Sequence, residues 1–267
     1  MKCPICSQAM SPVFSTRVLG KHDADFGHCT NCGFLRIVDP HWLEEAYSSA
    51  IAATDTGLVA RNIGVARKLA AFLYFVLPGG GTGRFLDVAG GYGMLTRLMR
   101  DYGFDFYWSD KYCSNLFAQG FGFDEAKAPF RAVTAIEVME HLIDPVEFLE
   151  QALNTAESDT FIFTTELYEG EPPKPEAWPY YSPATGQHIS FFSRRTLEVL
   201  SGRLGMQYRY VAGLHVFTKK DLSPLALRLF SKKAIPLMLK VVSRKLPSRS
   251  AADHRHMISL ASGVVQP

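Results

Sequence analysis

No run of 18 or more apolar residues occurs anywhere in the 267-residue chain, which excludes a transmembrane helix. The opening Met-Lys-Cys-Pro lacks the apolar stretch of a secretory signal. A dominant charge is missing too: 28 Lys/Arg stand against 26 Asp/Glu, a formal charge of +2, too little to make nucleic acid the main partner. No internal repeat is visible, so a repeat array is excluded. Cysteine is scarce, and four of the five fall within the first 32 residues, leaving Cys113 alone. That distribution fits metal binding in a reducing compartment better than a disulfide framework, and the chain reads as cytoplasmic. Apolar residues are not lacking: at 47% apolar and 20% charged the chain can bury a full core, and global disorder is excluded.

The cysteines form two pairs, Cys3-Pro-Ile-Cys6 and Cys29-Thr-Asn-Cys32. Each pair can put two thiolates on one tight turn, and two such turns close a tetrahedron around Zn²⁺. Four thiolates leave the ion no open position, so the expected role is structural. Two disulfides are the alternative, disfavoured by the spacing and the compartment. A knuckle with few apolar residues of its own would need the metal to fold.

Hydrophobic periodicity divides the rest. Residues 37–60 carry mixed helical signals and a turn at Thr54-Asp-Thr-Gly57; a helix follows from Arg61 to Leu77, stopped by Pro78-Gly-Gly-Gly81. Strands are expected at Arg84–Val88, Phe104–Ser109, Ala132–Ile136 and Thr160–Thr165. Helices are expected at Met94–Tyr102, Pro145–Ala156 and Arg194–Leu204, with an antiparallel pair closing around Gly213. This alternation indicates an α/β fold with a mostly parallel sheet covered on both faces. The expected organisation is a zinc-binding knuckle over 1–36, a helical linker over 37–80, a core over 81–219 and a basic amphipathic tail over 220–267. Within the core, the proline-rich stretch 167–188 reads as a lid.

In such sheets, ligands bind beyond the carboxyl ends of the strands. The first strand ends in Asp87-Val-Ala-Gly-Gly-Tyr-Gly93, where glycines let backbone approach a ligand and the next helix offers its N-terminus. Asp87 would repel phosphate but can receive a cationic ammonium. Asp110, ending the aromatic strand, is placed to accept ribose hydroxyls with both oxygens. Together with Glu137-Val-Met-Glu140-His141 two strands on, this order over about residues 60–218 resembles the class I S-adenosylmethionine-dependent methyltransferases. The resemblance implies a Rossmann-like seven-stranded sheet with its last strand antiparallel, and a sulfonium cofactor over the glycine loop. Asp87, Ala89, Gly90, Gly91 and Gly93 would line that cofactor, with Asp110 on the ribose. One position departs from the pattern: the family's first glycine is Ala89 here.

Glu137, Glu140 and His141 stand at offsets of three and four, one face of a helical turn if Glu137 begins it. Two adjacent carboxylates repel unless a proton or cation lies between them. Oxygen-rich ligands with an imidazole suit Mg²⁺ or Mn²⁺, and Zn²⁺ or Fe²⁺ also fit; His188 could be a further ligand. The run is similar to that of metal-dependent O-methyltransferases of the ubiquinone-pathway and small-RNA branches. The alternatives are a general-base role for His141, with Glu140 and His188 beside it as catalytic candidates, and simple packing. Trp178, Tyr180 and Tyr181 could close over a sugar ring, or equally anchor the loop.

The stretch 222–246 is cationic and amphipathic. It could lie peripherally on an anionic membrane at the inner face, or pack on its own domain. The chain resembles zinc-bearing sugar methylases of natural-product and glycan pathways, some of which act at carbon; the expected reaction is O-methylation of a small molecule or sugar. The rival readings are a ribose 2′-O RNA methyltransferase and a non-catalytic binding protein that kept the cofactor fold.

Overall fold

The computed structural model describes residues 1–48 and 55–262. Thr54 of the expected turn, and part of the expected linker, lie outside them. In chain order the elements are β1 (Ser11–Val18), β2 (His22–Cys29), β3 (Phe34–Ile37), α1 (Leu43–Ala46), α2 (Leu58–Phe75), β4 (Arg84–Val88), α3 (Met94–Asp101), β5 (Asp105–Ser109) and β6 (Ala132–Ile136). Then come α4 (Pro145–Ala156), β7 (Thr160–Thr164), β8 (Leu167–Tyr168), β9 (Ser190–Ser193), α5 (Arg194–Arg203), β10 (Gln207–Val211), β11 (Leu214–Thr218), α6 (Pro224–Leu229), α7 (Ile235–Lys245) and α8 (Ser250–Ala261).

The main sheet runs β10-β11-β7-β6-β4-β5. β5, β4, β6 and β7 are parallel, and β11 is antiparallel to both neighbours. The sheet has six strands, not the expected seven. Beyond β5 the described residues keep only a parallel bridge, Trp108 to Gly122. The reason is local: Gly120 and Gly122 flank Phe121, and Phe123–Glu125 turns into a 3₁₀ helix, so the chain lacks the β-branched run an edge strand needs.

Strand pleating sorts the core into two layers. Leu86, Val133, Phe161 and Phe163 face α4 and α5, meeting Val146, Leu149, Leu197 and Leu200. Phe85, Ala132 and Ile162 face α2 and α3, meeting Leu69, Phe72, Leu95 and Met99. Each fully buried Leu or Phe contributes about 1.5–3 kcal/mol. α2 thus covers one face of the sheet. Caps fix where helices begin: the Asp144 carboxylate accepts from the backbone N–H of Val146 and Glu147 at 3.0 Å ahead of α4, and Ser193 forms a capping box with Thr196 ahead of α5.

The N-terminal segment, expected as a knuckle over 1–36, forms a hairpin-based sheet ordered β1-β2-β3-β9-β8, in which β3 pairs with the strand that follows the proline-rich loop. An edge such as β3 needs a partner, and β9 covers it. The core of this sheet mixes Phe26, Leu35 and Ile37 with Trp178, Tyr181, Ile189 and Phe191. Trp178 and Tyr181 thus anchor the proline-rich loop, the Trp178 indole N–H donating to Glu166 Oε1 at 2.9 Å.

The C-terminal segment forms three helices. α7 lies on α2, and α8 is held by a buried ion pair: both oxygens of Asp253 accept from Arg100, at 2.8 and 2.7 Å. No described helix is long and apolar enough to cross a membrane.

Candidate active site

The carboxyl ends of β4, β5 and β6 open into one cavity of about 1120 Å³. Its first wall is the glycine loop. Asp87 is buried at the end of β4 and accepts from the Thr134 hydroxyl at 2.7 Å. Burial, with the charge of Asp110 nearby, pushes its pKa up to about 7. Gly90 has no room for a side chain, since a Cβ would sit 2.7 Å from Asp87 Oδ2 and 2.9 Å from Trp108. Gly91, at φ +56°, has open space where its Cβ would be and donates its N–H to Asp110 Oδ2 at 2.9 Å. The Trp108 indole donates to the Gly91 carbonyl at 2.8 Å, and Gly93 caps α3.

Ala89 also has positive φ, +51°. The departure from the family's glycine therefore strains the backbone, because an L-residue pays for left-handed conformation. Ala89→Gly is expected to stabilise the fold by about 0.5–1 kcal/mol in denaturant titrations; a loss of stability would show that the Ala89 methyl packs more favourably than its backbone is strained.

Asp110 is more occupied than the expected two-oxygen grip on a ribose allows. Its Oδ1 accepts from the N–H groups of Tyr112 and Cys113, both at 2.7 Å. With about four lone-pair sites on a carboxylate, one remains on Oδ2 for a hydroxyl. The wall still fits a sulfonium nucleoside: two acids for its positive charge, and bare backbone at Gly91 for close approach.

The opposite wall carries Glu140, His141 and His188. One ligand atom from each lies within 4.8 Å of the others. Glu140 and His141 sit on the 3₁₀ turn Met139–His141 after β6, and the Glu140 carbonyl accepts from Ile189 N–H at 2.8 Å, which brings His188 alongside. Both Glu140 carboxylate oxygens are buried and lack a hydrogen bond of ordinary geometry; burial raises the pKa, and His188 and the nearby Tyr180 and Thr165 hydroxyls oppose the rise. The His141 Nδ1 lies 3.1 Å from the Gln187 carbonyl and 2.8 Å from the Tyr47 hydroxyl. The His188 Nδ1 lies 2.6 Å from the Tyr180 carbonyl. A carbonyl only accepts, so these partners place a proton on Nδ1 of each ring, which in a neutral ring leaves the lone pair on Nε2. Burial, with His188 adjacent, pushes His141 down to about 3, so it is neutral at physiological pH.

Glu137 does not join this group. Its backbone is left-handed, φ +56°, so it does not begin the helical turn that the spacing suggested. Its carboxylate instead accepts from the Thr164 hydroxyl at 2.6 Å. The clustered donor set is two nitrogens and one carboxylate, which suits Zn²⁺, Fe²⁺ or Mn²⁺ better than the oxygen-seeking Mg²⁺.

Several cavity residues had no signal in the sequence. Tyr47 comes from α1's end, and Arg61, paired with Asp55 (Nη1 to Oδ1, 3.1 Å), comes from α2. Tyr180, a candidate from the sequence, also borders the cavity, as does Tyr112, which stacks on Tyr47 with ring centroids 6.1 Å apart. No local motif marks a residue that reaches a site across more than 90 positions.

The four cysteines lie outside this cavity, their sulfurs within 4.8 Å of one another. Cys3 and Cys32 are 3.6 Å apart and Cys6 and Cys29 3.4 Å apart. A disulfide needs about 2.05 Å; the edge of a tetrahedron with Zn–S bonds of 2.3 Å is about 3.8 Å. The donor set fits a tetrahedral thiophilic ion.

A family model described as a methyltransferase domain matches residues 61–211. Comparison with curated proteins gives no match. Among solved structures the chain is similar to TnmH (17% identity, 66% of this chain and 60% of that one, TM-score 0.46). It is also similar to CalO1, a methyltransferase in calicheamicin biosynthesis solved with SAH (14%, 68% and 61%, TM-score 0.48). A third is the magnesium protoporphyrin IX methyltransferase ChlM from Synechocystis PCC 6803 with bound SAM (12%, 68% and 93%, TM-score 0.39). The chain spans about 60% of the length of the first two. Because the family model takes in more than half of its residues, this chain belongs to the methyltransferase-domain family.

Proposed function

We propose that the protein transfers a methyl group from S-adenosylmethionine to a hydroxyl oxygen of a small molecule or sugar. The observation that carries this reading is the shared cavity, with Asp87, Gly91 and Asp110 on one wall and Glu140, His141 and His188 on the other. The cofactor supplies an electrophilic methyl carbon on a positively charged sulfur. The chain's own residues do the rest. Asp87 holds the ammonium end, Asp110 takes a ribose hydroxyl, and His141 Nε2, too weak a base to ionise a free hydroxyl, takes the proton as the acceptor oxygen turns cationic on gaining the methyl group, while Gln187 keeps the ring in the required tautomer. Tyr47 and Tyr180 narrow the acceptor side and exclude water.

The acids bordering the cavity, Glu44, Asp55, Asp87, Asp110, Glu137 and Glu140, outnumber Arg61 and Lys111. That balance favours a neutral acceptor over an RNA phosphodiester. The buried Glu140 oxygens support a second arrangement, in which Glu140, His141 and His188 hold a divalent ion that lowers the pKa of the acceptor hydroxyl. Cys3, Cys6, Cys29 and Cys32 are assigned a structural zinc, supported by the sulfur spacing.

Asp87 gives this reading a pH test. Its protonated form loses the attraction for a cation, so binding releases a proton whenever the pH is below the raised pKa. Affinity for S-adenosylmethionine is expected to rise about tenfold per pH unit up to about 7 and then level off. The ligand's α-amino group keeps its charge over that range, titrating at about 7.7–8.0. Calorimetry from pH 5.5 upward checks it (about one unit either side of neutrality suffices). Asp87→Asn should bind weakly with a flat profile; a flat wild-type profile would remove Asp87 from the cofactor's charged end.

A further inference from the structure

The outer layer formed by α6 and α7 has spent only its inner face on the domain. Phe230, Ile235 and Val242 are buried in the core cluster that contains α2. On the outward face, Leu225 and Leu229 are 66% and 59% exposed at an i, i+4 spacing, and Leu237 is 69% exposed on α7. Arg228, Lys232, Lys233, Lys240, Arg244 and Lys245, interspersed with or following these leucines along the chain, are exposed as well. None of these six cations has an ion pair among the described residues, whereas the nearby Arg249 is paired with Asp105 at 3.1 Å.

The charge is segregated as well. Seven of the 28 Lys/Arg and none of the 26 Asp/Glu fall between 222 and 252, so the remainder of the chain is net negative while this layer is strongly positive. An unpaired cationic surface carrying protruding leucines complements one partner best. Phosphate groups attract the lysines, and the apolar layer just beneath them receives leucines that water leaves exposed. A nucleic acid would use the cations but has no place for three leucines.

The geometry points to the α6–α7 face as a docking surface for an anionic lipid bilayer, with Leu225, Leu229 and Leu237 inserted at the headgroup level and the flanking lysines on lipid phosphates. This attachment is independent of the methyl-transfer reading, since the face lies on the α2 side of the domain and shares no residue with the cavity.

The test is co-sedimentation of the full-length, zinc-loaded protein with vesicles of phosphatidylcholine alone or with phosphatidylserine. Binding is expected only with phosphatidylserine, weakening as salt rises. A Lys232→Glu, Lys233→Glu, Lys240→Glu variant should bind at least about a hundredfold more weakly. A Leu225→Ser, Leu229→Ser, Leu237→Ser variant should lose at least about tenfold, with unchanged melting midpoints because every altered residue is exposed. Absence of binding, equal binding to neutral vesicles, or indifference to both variants would overturn the proposal. So would RNA binding that falls with the lysine changes but not with the leucine changes, in protein that ignores vesicles.

Discussion

Replacing Cys32 with serine, or stripping metal from the wild type with a chelator, is expected to unfold one sheet of this protein and spare the other. The thiols are crowded enough that full ionisation needs a cation: Cys3 is pushed down to about 5 by its hydrogen bond with Cys32, while the same contact pushes Cys32 up. A zinc ion bound by four such thiolates would supply about 10 kcal/mol or more to the structure that forms the site. That structure reaches past the cysteines. The Cys32 carbonyl accepts from the Thr196 hydroxyl at 2.9 Å, the Gly33 carbonyl accepts from Tyr168, and β3 pairs with β9 at Leu35–Phe191 and Arg36–Ser190. Loss of zinc should therefore free amides in β1–β3 and β9 for hydrogen exchange while β4, β6 and β7 stay protected. S-adenosylmethionine affinity should change little, because Asp87, Gly91 and Asp110 belong to the spared sheet, whereas His188 loses its support. Uniform protection in metal-free protein would contradict the structural role given to the ion.

The second large effect is catalytic. His141→Ala is expected to reduce kcat by about 10²–10⁴-fold while leaving cofactor affinity within a few-fold of wild type, since the ring touches the acceptor wall. Glu140→Gln separates the two arrangements proposed for that wall. If His141 acts as the base, protein that keeps its four-cysteine metal is equally active with and without added Mn²⁺ or Fe²⁺, and Glu140→Gln is mild. If an ion is held by Glu140, His141 and His188, activity depends on added Mn²⁺, Fe²⁺ or Zn²⁺ while the four-cysteine metal stays in place, and Glu140→Gln falls as far as His141→Ala. An active His141→Ala enzyme would exclude both.

How much of this was legible beforehand depended on the range of the interactions. β4, β6 and β7 were readable because short, mostly apolar runs bounded by glycine, proline or charge have few other uses. The glycine loop was readable because it follows directly on a strand end and opens a helix, with left-handed backbone at Gly91 and Gly93 that calls for glycine. The seventh strand failed because an expected edge needs residues that hold a ladder, and Gly120-Phe-Gly122 holds one bridge. Glu137 failed for a different reason. Residue spacing places side chains only if the helix has begun, and a single left-handed residue at 137 rotates that carboxylate toward Thr164. The second sheet was hidden because β3 finds its partner more than 150 positions later, in the four-residue strand Ser190–Ser193. Tyr47 was hidden likewise, since its hydroxyl meets His141 only after both sheets have folded.

A crystal structure with S-adenosylmethionine bound, recorded with anomalous data at the zinc edge, bears most directly on the whole scheme. The nucleoside is expected across Gly91 and Asp110, its methyl carbon turned toward His141, with one strong anomalous peak among Cys3, Cys6, Cys29 and Cys32. A nucleoside bound elsewhere, or a methyl group pointing away from the Glu140–His141–His188 wall, would contradict it.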